Sequence, residues 1–311
     1  MATQQSNVYV GEEPEESGGL VQRLPVSFET LLLAPSVIVL GILSIVPLVA
    51  LLWLSVMQMS VLPGEQTMFV GIENYRAMFN DAVINSWKVT VLYVGGALSI
   101  QITLGTAIAV LLDRVSRGEN VLTGIIIMPM MIAPVVVGLL WQFLLDPSFG
   151  LYTWLLNQVG LATGGPVLGS RPSALIAVIV MDTWQWTPLV VLIVLAGLKS
   201  IPQQLYEAAR VDGATFWSEF RYVTLPMLTP ALAIALLLRS MDLMRYFTKI
   251  FITTGGGPAS STKIIGFFVY EQALRFYNLG YGAALGTVML VATILLGIFF
   301  VESVMGGAGD E

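Results

Sequence analysis

The chain has 311 residues, 56% of them hydrophobic and only 11% charged, with a mean hydropathy of +0.82, which places it outside the range of water-soluble globular domains and among integral membrane proteins. Histidine and cysteine are both absent, which excludes disulfides, thiolate nucleophiles, imidazole metal ligands and every Ser-His-Asp or Cys-His arrangement. The net charge of -6 resides in the tails, at Glu12, Glu13, Glu15, Glu16, Asp310 and Glu311, so no basic footprint for nucleic acid exists.

Residues 1–27 hold Glu-Glu-Pro-Glu-Glu and Ser-Gly-Gly without an apolar run, a composition that reads as a disordered acidic tail. The first apolar block begins at Leu31 and is too long for a secretory signal, so it is expected to stay in the membrane. A span needs roughly 20 mainly apolar residues, and six blocks meet that length: Leu31 to Met57, Val89 to Leu112, Val121 to Leu145, Ala174 to Leu198, Met227 to Phe251, and Ala283 to Val304. The expected fold is all-α: a polytopic domain over 28–305 and a short tail at 306–311. An even number of spans puts both termini on one side. With the tails in the cytoplasm, Arg23, Arg114, Arg117, Lys199, Arg210 and Arg221 fall inside, against Arg76, Arg171, Lys263 and Arg275 outside, a balance that leans inward.

Between spans, Asp146 to Leu161 carries apolar and aromatic residues at helical spacing, Trp154 among them, as an interfacial helix does. Pro129, Pro134 and Pro188 are expected to break or bend their helices. Thr253 to Pro258 reads TTGGGP, where Gly255, Gly256 and Gly257 before Pro258 permit positive φ in an external loop, either flexible or facing a ligand.

The most informative stretch is EAARVDGATFWSEFRYVTLP, Glu207 to Pro226. Ser200 and Gln203 have capping-box spacing with Pro202 in the first turn, so a helix is predicted to start there. Gly213 should end it, and a second helix should present Phe216, Trp217 and Phe220 before Pro226 opens the next span. Small Ala208 and Ala209 admit another backbone, and the aromatics beyond the elbow are anchors of the kind enriched at interface centres. The pattern fits either a docking knob or an amphipathic linker on the inner membrane face.

Glu207-Ala208-Ala209, then Gly213, then Leu225-Pro226 resemble the EAA loop of permease subunits in binding-protein-dependent ABC importers. FVGIENY (Phe69 to Tyr75), MPMMIAPVVVGLLWQFLLDPSFG (Met128 to Gly150), DTWQWTPLVVLIVLAGLKSIP (Asp182 to Pro202), TTGGGP and NLGYGAALG (Asn278 to Gly286) are similar to the carbohydrate branch, which includes maltose, trehalose and glycerol-3-phosphate permeases. Val223 stands where that family usually has isoleucine. The resemblance implies a coupling helix, with Glu207, Ala208, Ala209, Asp212, Gly213, Phe216, Trp217, Leu225 and Pro226 docking on a cytoplasmic ATP-hydrolysing subunit. It further implies a second homologous permease, two ATP-binding cassette subunits, an external solute-binding protein and a carbohydrate cargo, all within membrane lipid. ATP and magnesium would sit on the partner subunits; no G-x-x-x-x-G-K-[ST] loop occurs here, so this chain is expected to be a transport subunit rather than an enzyme, with no cofactor of its own.

Charged residues inside spans usually pair or face an aqueous route. Arg239, Asp242, Arg245 or Tyr246, and Lys249 fall at i, i+3, i+6 or i+7, and i+10, a single helical stripe able to line a path. Asp182, Trp184, Trp186 and Thr187, with Gln185 among them, mix hydrogen-bonding groups with flat rings suited to a sugar, and Gln101 adds a further polar group. The alternative is structural: Arg239 and Asp242 as an interhelical pair, Arg245 and Lys249 snorkelling outward, and the tryptophans as packing. Two rival classes stand beside it: an ion-driven secondary transporter, though inverted repeats with interrupted helices are missing, and a membrane-embedded scaffold that recruits soluble partners through the same knob.

Overall fold

The computed structural model describes residues 28–59, 67–161 and 165–305, so the acidic tail and the last six residues lie outside the described residues. The chain divides into two units, one through Ala50 and one from Leu51 onward. The first unit is helix α1, Phe28–Ser55, whose last residues enter the second unit; its Leu32–Ser55 stretch reaches a mean hydropathy of 2.8.

The second unit begins where α1 ends. Strands β1, Met57–Gln58, and β2, Met68–Phe69, pair antiparallel, and α2, Glu73–Arg76, follows. Asn74 Nδ2 donates to the carbonyls of Ser55 and Met57, each at 2.9 Å, and Tyr75 donates to Ser55 Oγ at 2.7 Å, satisfying backbone groups freed as the helix becomes a strand. Helix α3, Asp81–Asp113, is capped by Asn80, whose side chain accepts from Val83 N at 3.1 Å, the usual stabilisation of a helix start.

The third apolar block is not one straight span. Helix α4, Glu119–Ile127, tightens into a 3₁₀ turn at Met128–Met131, and α5, Pro134–Leu144, departs after a bend of 91°. The prolines cause it: Ala133, before Pro134, is held extended at ψ 137, away from helical backbone as a pre-proline residue prefers. The carbonyl freed at Ile132 accepts from Gln185 Nε2 at 2.8 Å, so the break is satisfied by protein at membrane depth.

Helix α6, Leu151–Gln158, is the short aromatic helix expected there, and α7, Arg171–Ser200, is a single helix that continues through Pro188. Helix α8 is Gln203–Val211 and α9 is Phe216–Glu219; a π turn at Phe220–Thr224 carries α9 directly into α10, Leu225–Arg245. The chain breaks at Tyr246, resumes as α11, Thr248–Thr253, then as α12, Ile265–Tyr270, and ends in α13, Leu279–Met305. Among the described residues five helices are long and apolar enough to span a membrane, and the bent α4–α5 pair makes six if taken as one span.

Lipid is as apolar as leucine, so close approach and polar contacts hold such helices together rather than escape from water. Gly105 on α3 supplies that approach: a Cβ there would stand 2.6 Å from Val190 Cγ1 of α7. Around it Ala109, Val190, Val191, Val194, Leu228 and Ala235 form a buried core shared by α3, α7 and α10.

Candidate functional site

The Glu207–Pro226 stretch folds as a helix, a glycine elbow and a helix. Its start differs from the expected capping box. Ser200 closes α7 and donates to Gly197 O at 2.7 Å, while Pro202 is the N-cap of α8 and no side chain caps it. α7 outruns the predicted boundary because the Leu195–Leu198 turn is packed into the core, and that packing outweighs the local capping signal.

At the elbow Gly213 has φ +80. Ala214 N donates to Ala209 O at 2.9 Å and Gly213 N to Arg210 O at 3.1 Å, the paired 6→1 and 5→2 bonds of a Schellman motif. Nothing lies within 4 Å of a Cβ built on Gly213, so glycine is required by the left-handed backbone and not by crowding. Thr215 then caps α9 by accepting from Ser218 N at 3.5 Å. Pro226 does not open a new helix; it stands in the first turn of α10, already continuous with α9 through the π turn.

Glu207, Ala208, Asp212, Gly213, Phe216, Trp217, Leu225 and Pro226 are exposed and Ala209 is half-buried. Trp217 is 72% and Val211 87% exposed, unusual for large apolar side chains on a polar surface. Phe216, Trp217 and Phe220 form one aromatic cluster with ring centroids 5.7–6.3 Å apart. Behind it lies a polar cavity of about 470 Å³ lined by residues of α3, α7, α8 and α9, including Arg114, Tyr206, Arg210 and Glu219. Arg114 Cζ stands 4.0 Å from the centre of the Phe216 ring.

The intramembrane polar residues divide into two groups. Asp182, Gln101 and Arg239 are buried and bonded together: Asp182 Oδ2 accepts from Gln101 Nε2 at 2.8 Å and from Arg239 NH2 at 2.7 Å, and Arg239 Nε donates to Gln101 Oε1 at 2.9 Å. Lys249, also buried, donates to Asp182 Oδ1. One carboxylate on α7 thus gathers α3, α10 and α11.

Arg239 and Asp242 are therefore not an interhelical pair; they are neighbours on α10 at 3.6 Å, and the cross-helix partner of Arg239 is Asp182. Lys249 does not snorkel. The break after Arg245 turns it inward, so the expected continuous stripe ends at α10. Thr187 is buried and bonds its own helix at Thr183 O, 2.7 Å.

The second group is accessible. Asp242 keeps 22% side-chain exposure and pairs with the exposed Arg245 at 2.9 Å; Trp186, half-buried, lies 5.0 Å from Arg239 Cζ, and exposed Tyr246 lies 5.3 Å from Arg245 Cζ. Trp184 is not part of this group. Two residues along a helix rotate by about 200°, and Trp184 turns instead to Trp141 of α5, 6.1 Å away. The apolar cavity of about 660 Å³ lined by Trp141, Tyr152 and Val180 offers little to a hydroxyl-rich solute.

The glycine loop is a turn hydrogen-bonded within its own segment and to α3. Gly255 and Gly256 have φ +55 and +85, and Gly257–Pro258 is cis. Thr262 Oγ1 donates to Gly257 O at 2.8 Å, and Asn85 Nδ2 to Ser260 O at 3.2 Å.

Sequence reasoning missed Arg114 over Phe216, Gln185 on Ile132, and the ion pair of Lys199 with Glu119. Only Gln185 left a signal, a hydrogen-bonding amide in an apolar run near a proline-broken span.

The described residues form a multi-pass α-helical membrane protein with a proline-broken span and an exposed helix–elbow–helix. Residues 101–306 match the profile of the binding-protein-dependent transport system inner membrane component, and the chain belongs to that family. It is 35% identical over 274 residues to the trehalose/maltose transport system permease protein MalF of Thermococcus litoralis, covering 87% of this chain and 90% of that protein. It is 33% identical over 279 residues to the sn-glycerol-3-phosphate transport system permease protein UgpA of Agrobacterium fabrum, covering 88% and 94%. The fold matches the crystal structure of a bacterial alginate ABC transporter in complex with alginate pentasaccharide-bound periplasmic protein, with a TM-score of 0.76, 23% identity, and coverage of 88% of this chain and 92% of that one.

Proposed function

We infer that this chain is a permease subunit of an ATP-driven importer that moves a carbohydrate delivered by an external solute-binding protein. It works beside a second, homologous permease and two ATP-binding cassette subunits that hold ATP and magnesium, with both termini of this chain in the cytoplasm. The observation that carries the reading is the elbow at Gly213. Around it Ala208 of α8 and Phe216 and Trp217 of α9 are exposed, so that small residues and large apolar anchors share one accessible surface, as a docking surface requires.

Force on that surface enters α10 without an intervening loop, because α9 and α10 are joined through the π turn. Nucleotide-driven closure of the ATPase pair would therefore tilt α10 and alter the face where Trp186, Asp242, Arg245 and Tyr246 are accessible. A switch of this kind works only if the binding protein and ATP prefer different states. Carbohydrate is favoured by the names of the relatives and by that face, which offers rings for C–H surfaces and a carboxylate–guanidinium pair for hydroxyls. The buried Asp182 group supports that face from beneath.

A sugar phosphate is the second reading, favoured by the glycerol-3-phosphate permease among the relatives. The test is to purify the assembled complex, reconstitute it with its binding protein, and screen sugars, polyols and glycerol-3-phosphate for stimulation of ATP hydrolysis. Stimulation by a neutral carbohydrate is expected. Stimulation by glycerol-3-phosphate alone supports the second reading, and hydrolysis indifferent to every solute contradicts both.

A further inference from the structure

The coupling element hangs between two membrane helices, joined to α7 through Ile201–Pro202 and to α10 through the π turn. Its side-chain ties back to α8 are long: Arg210 Nε to Glu219 Oε2 at 3.7 Å and Thr224 Oγ1 to Tyr206 OH at 3.4 Å. Tyr206 of α8 packs against the core of the bundle, while a polar pocket of about 470 Å³ opens between α3, α7, α8 and α9. α9 itself buries no residue, so a specific contact has to fix where it sits.

The contact that does so comes from α3. Arg114 is the C-cap of that helix, where a cation also complements the helix dipole, and its guanidinium covers the Phe216 ring at 4.0 Å. That distance is well inside the range for a cation–π interaction. The Phe216 ring also contacts the rings of Trp217 and Phe220, so a contact that holds Phe216 bears on the exposed Trp217 as well. Arg114 appears in no ion pair among the described residues, which leaves the ring as its partner.

We propose that Arg114 is a positioning residue for coupling: it clamps Phe216, sets the pose in which the aromatic cluster meets the ATP-hydrolysing subunit, and links the end of α3 to that docking surface. This rests on the coupling role given above to the Glu207–Pro226 element. The α3–α4 turn thereby becomes a second strand of mechanical connection, beside the covalent one into α10. Lysine retains the charge without the planar stacking, and methionine keeps an apolar stem without charge, so the two substitutions separate cation from packing.

The chain has no cysteine, so Val211→Cys, at a position 87% exposed, takes a nitroxide label at one site of the full-length chain in detergent. Arg114→Met should sharpen the spectrum of that label, Arg114→Lys should restore part of the immobilised component, and Phe216→Leu should match Arg114→Met with no further change in the double variant. In the assembled complex, ATP hydrolysis should fall about two- to fivefold in Arg114→Met, again without an additional loss from Phe216→Leu. Additive losses, or a spectrum unmoved by Arg114→Met, overturn the proposal. Gly213→Val is the control for the reading beneath it. If Gly213→Val leaves coupled hydrolysis intact, the coupling role itself is wrong; if Gly213→Val abolishes coupling while Arg114→Met behaves as wild type, only the clamp is wrong.

Discussion

Two regions of this molecule concentrate its polar chemistry, and they treat it in opposite ways. At the Asp182 centre every charge faces inward: Arg239 is 1% exposed, Asp182 2% and Lys249 4%, and each is bonded to another helix. At the Gly213 elbow large apolar side chains stay exposed, Trp217 at 72% and Val211 at 87%. A group satisfied within its own chain holds a shape, whereas an exposed apolar anchor requires another molecule. Under the proposed function the first region holds the shape of the bundle and the second is the handle.

The comparison can be broken most forcefully at Asp182. Asp182→Leu leaves Lys249 buried without a carboxylate and Arg239 with only the 3.6 Å pair to Asp242, and stranding buried charge costs roughly 3–5 kcal/mol; the expected outcome is loss of folded protein after detergent extraction, read as size-exclusion yield and thermal unfolding. A near-normal yield would mean that the centre is not structural. Next comes Trp217→Ala, which removes a large exposed ring of the handle. If that ring is an interface anchor its loss weakens docking by about 2 kcal/mol, measurable as reduced co-purification of the ATPase subunit with unchanged thermal unfolding of this chain.

Gly213→Val is smaller in stability and sharper in mechanism. Left-handed backbone costs a side chain about 1–2 kcal/mol, enough to shift the elbow while the spans still insert, so transport should fail with expression retained. Normal coupled uptake would count against the elbow. Asp242→Asn should have the least effect on assembly, because Arg239 keeps Asp182, while uptake should slow if the accessible face contacts solute. Equal uptake in both proteins would return Asp242 to a purely structural role.

Much of this contrast was legible in the residues, for identifiable reasons. Long apolar runs declare spans because the bilayer fixes their length, and Gly213 declared the elbow because a helix followed by glycine commonly ends in left-handed backbone. Pro129 and Pro134 marked the broken span, but the 91° bend depends on where α5 finds packing, which no local pattern contains. Lys249 looked like the last member of a stripe, since helical periodicity presumes a continuous helix and the break at Tyr246 removed it. Arg114 over Phe216 joins residues that are adjacent only after α3, α7 and α9 have packed. Ser200 misled because a capping signal is worth about 1 kcal/mol, less than the buried turn that carries α7 past Leu198.

Site-specific cross-linking tests the handle most directly. A single Ala208→Cys in this otherwise cysteine-free chain, fitted with a photoactivatable reagent in the reconstituted complex, should attach to the ATP-hydrolysing subunit both without nucleotide and during turnover. Attachment only to lipid in every state would contradict the account.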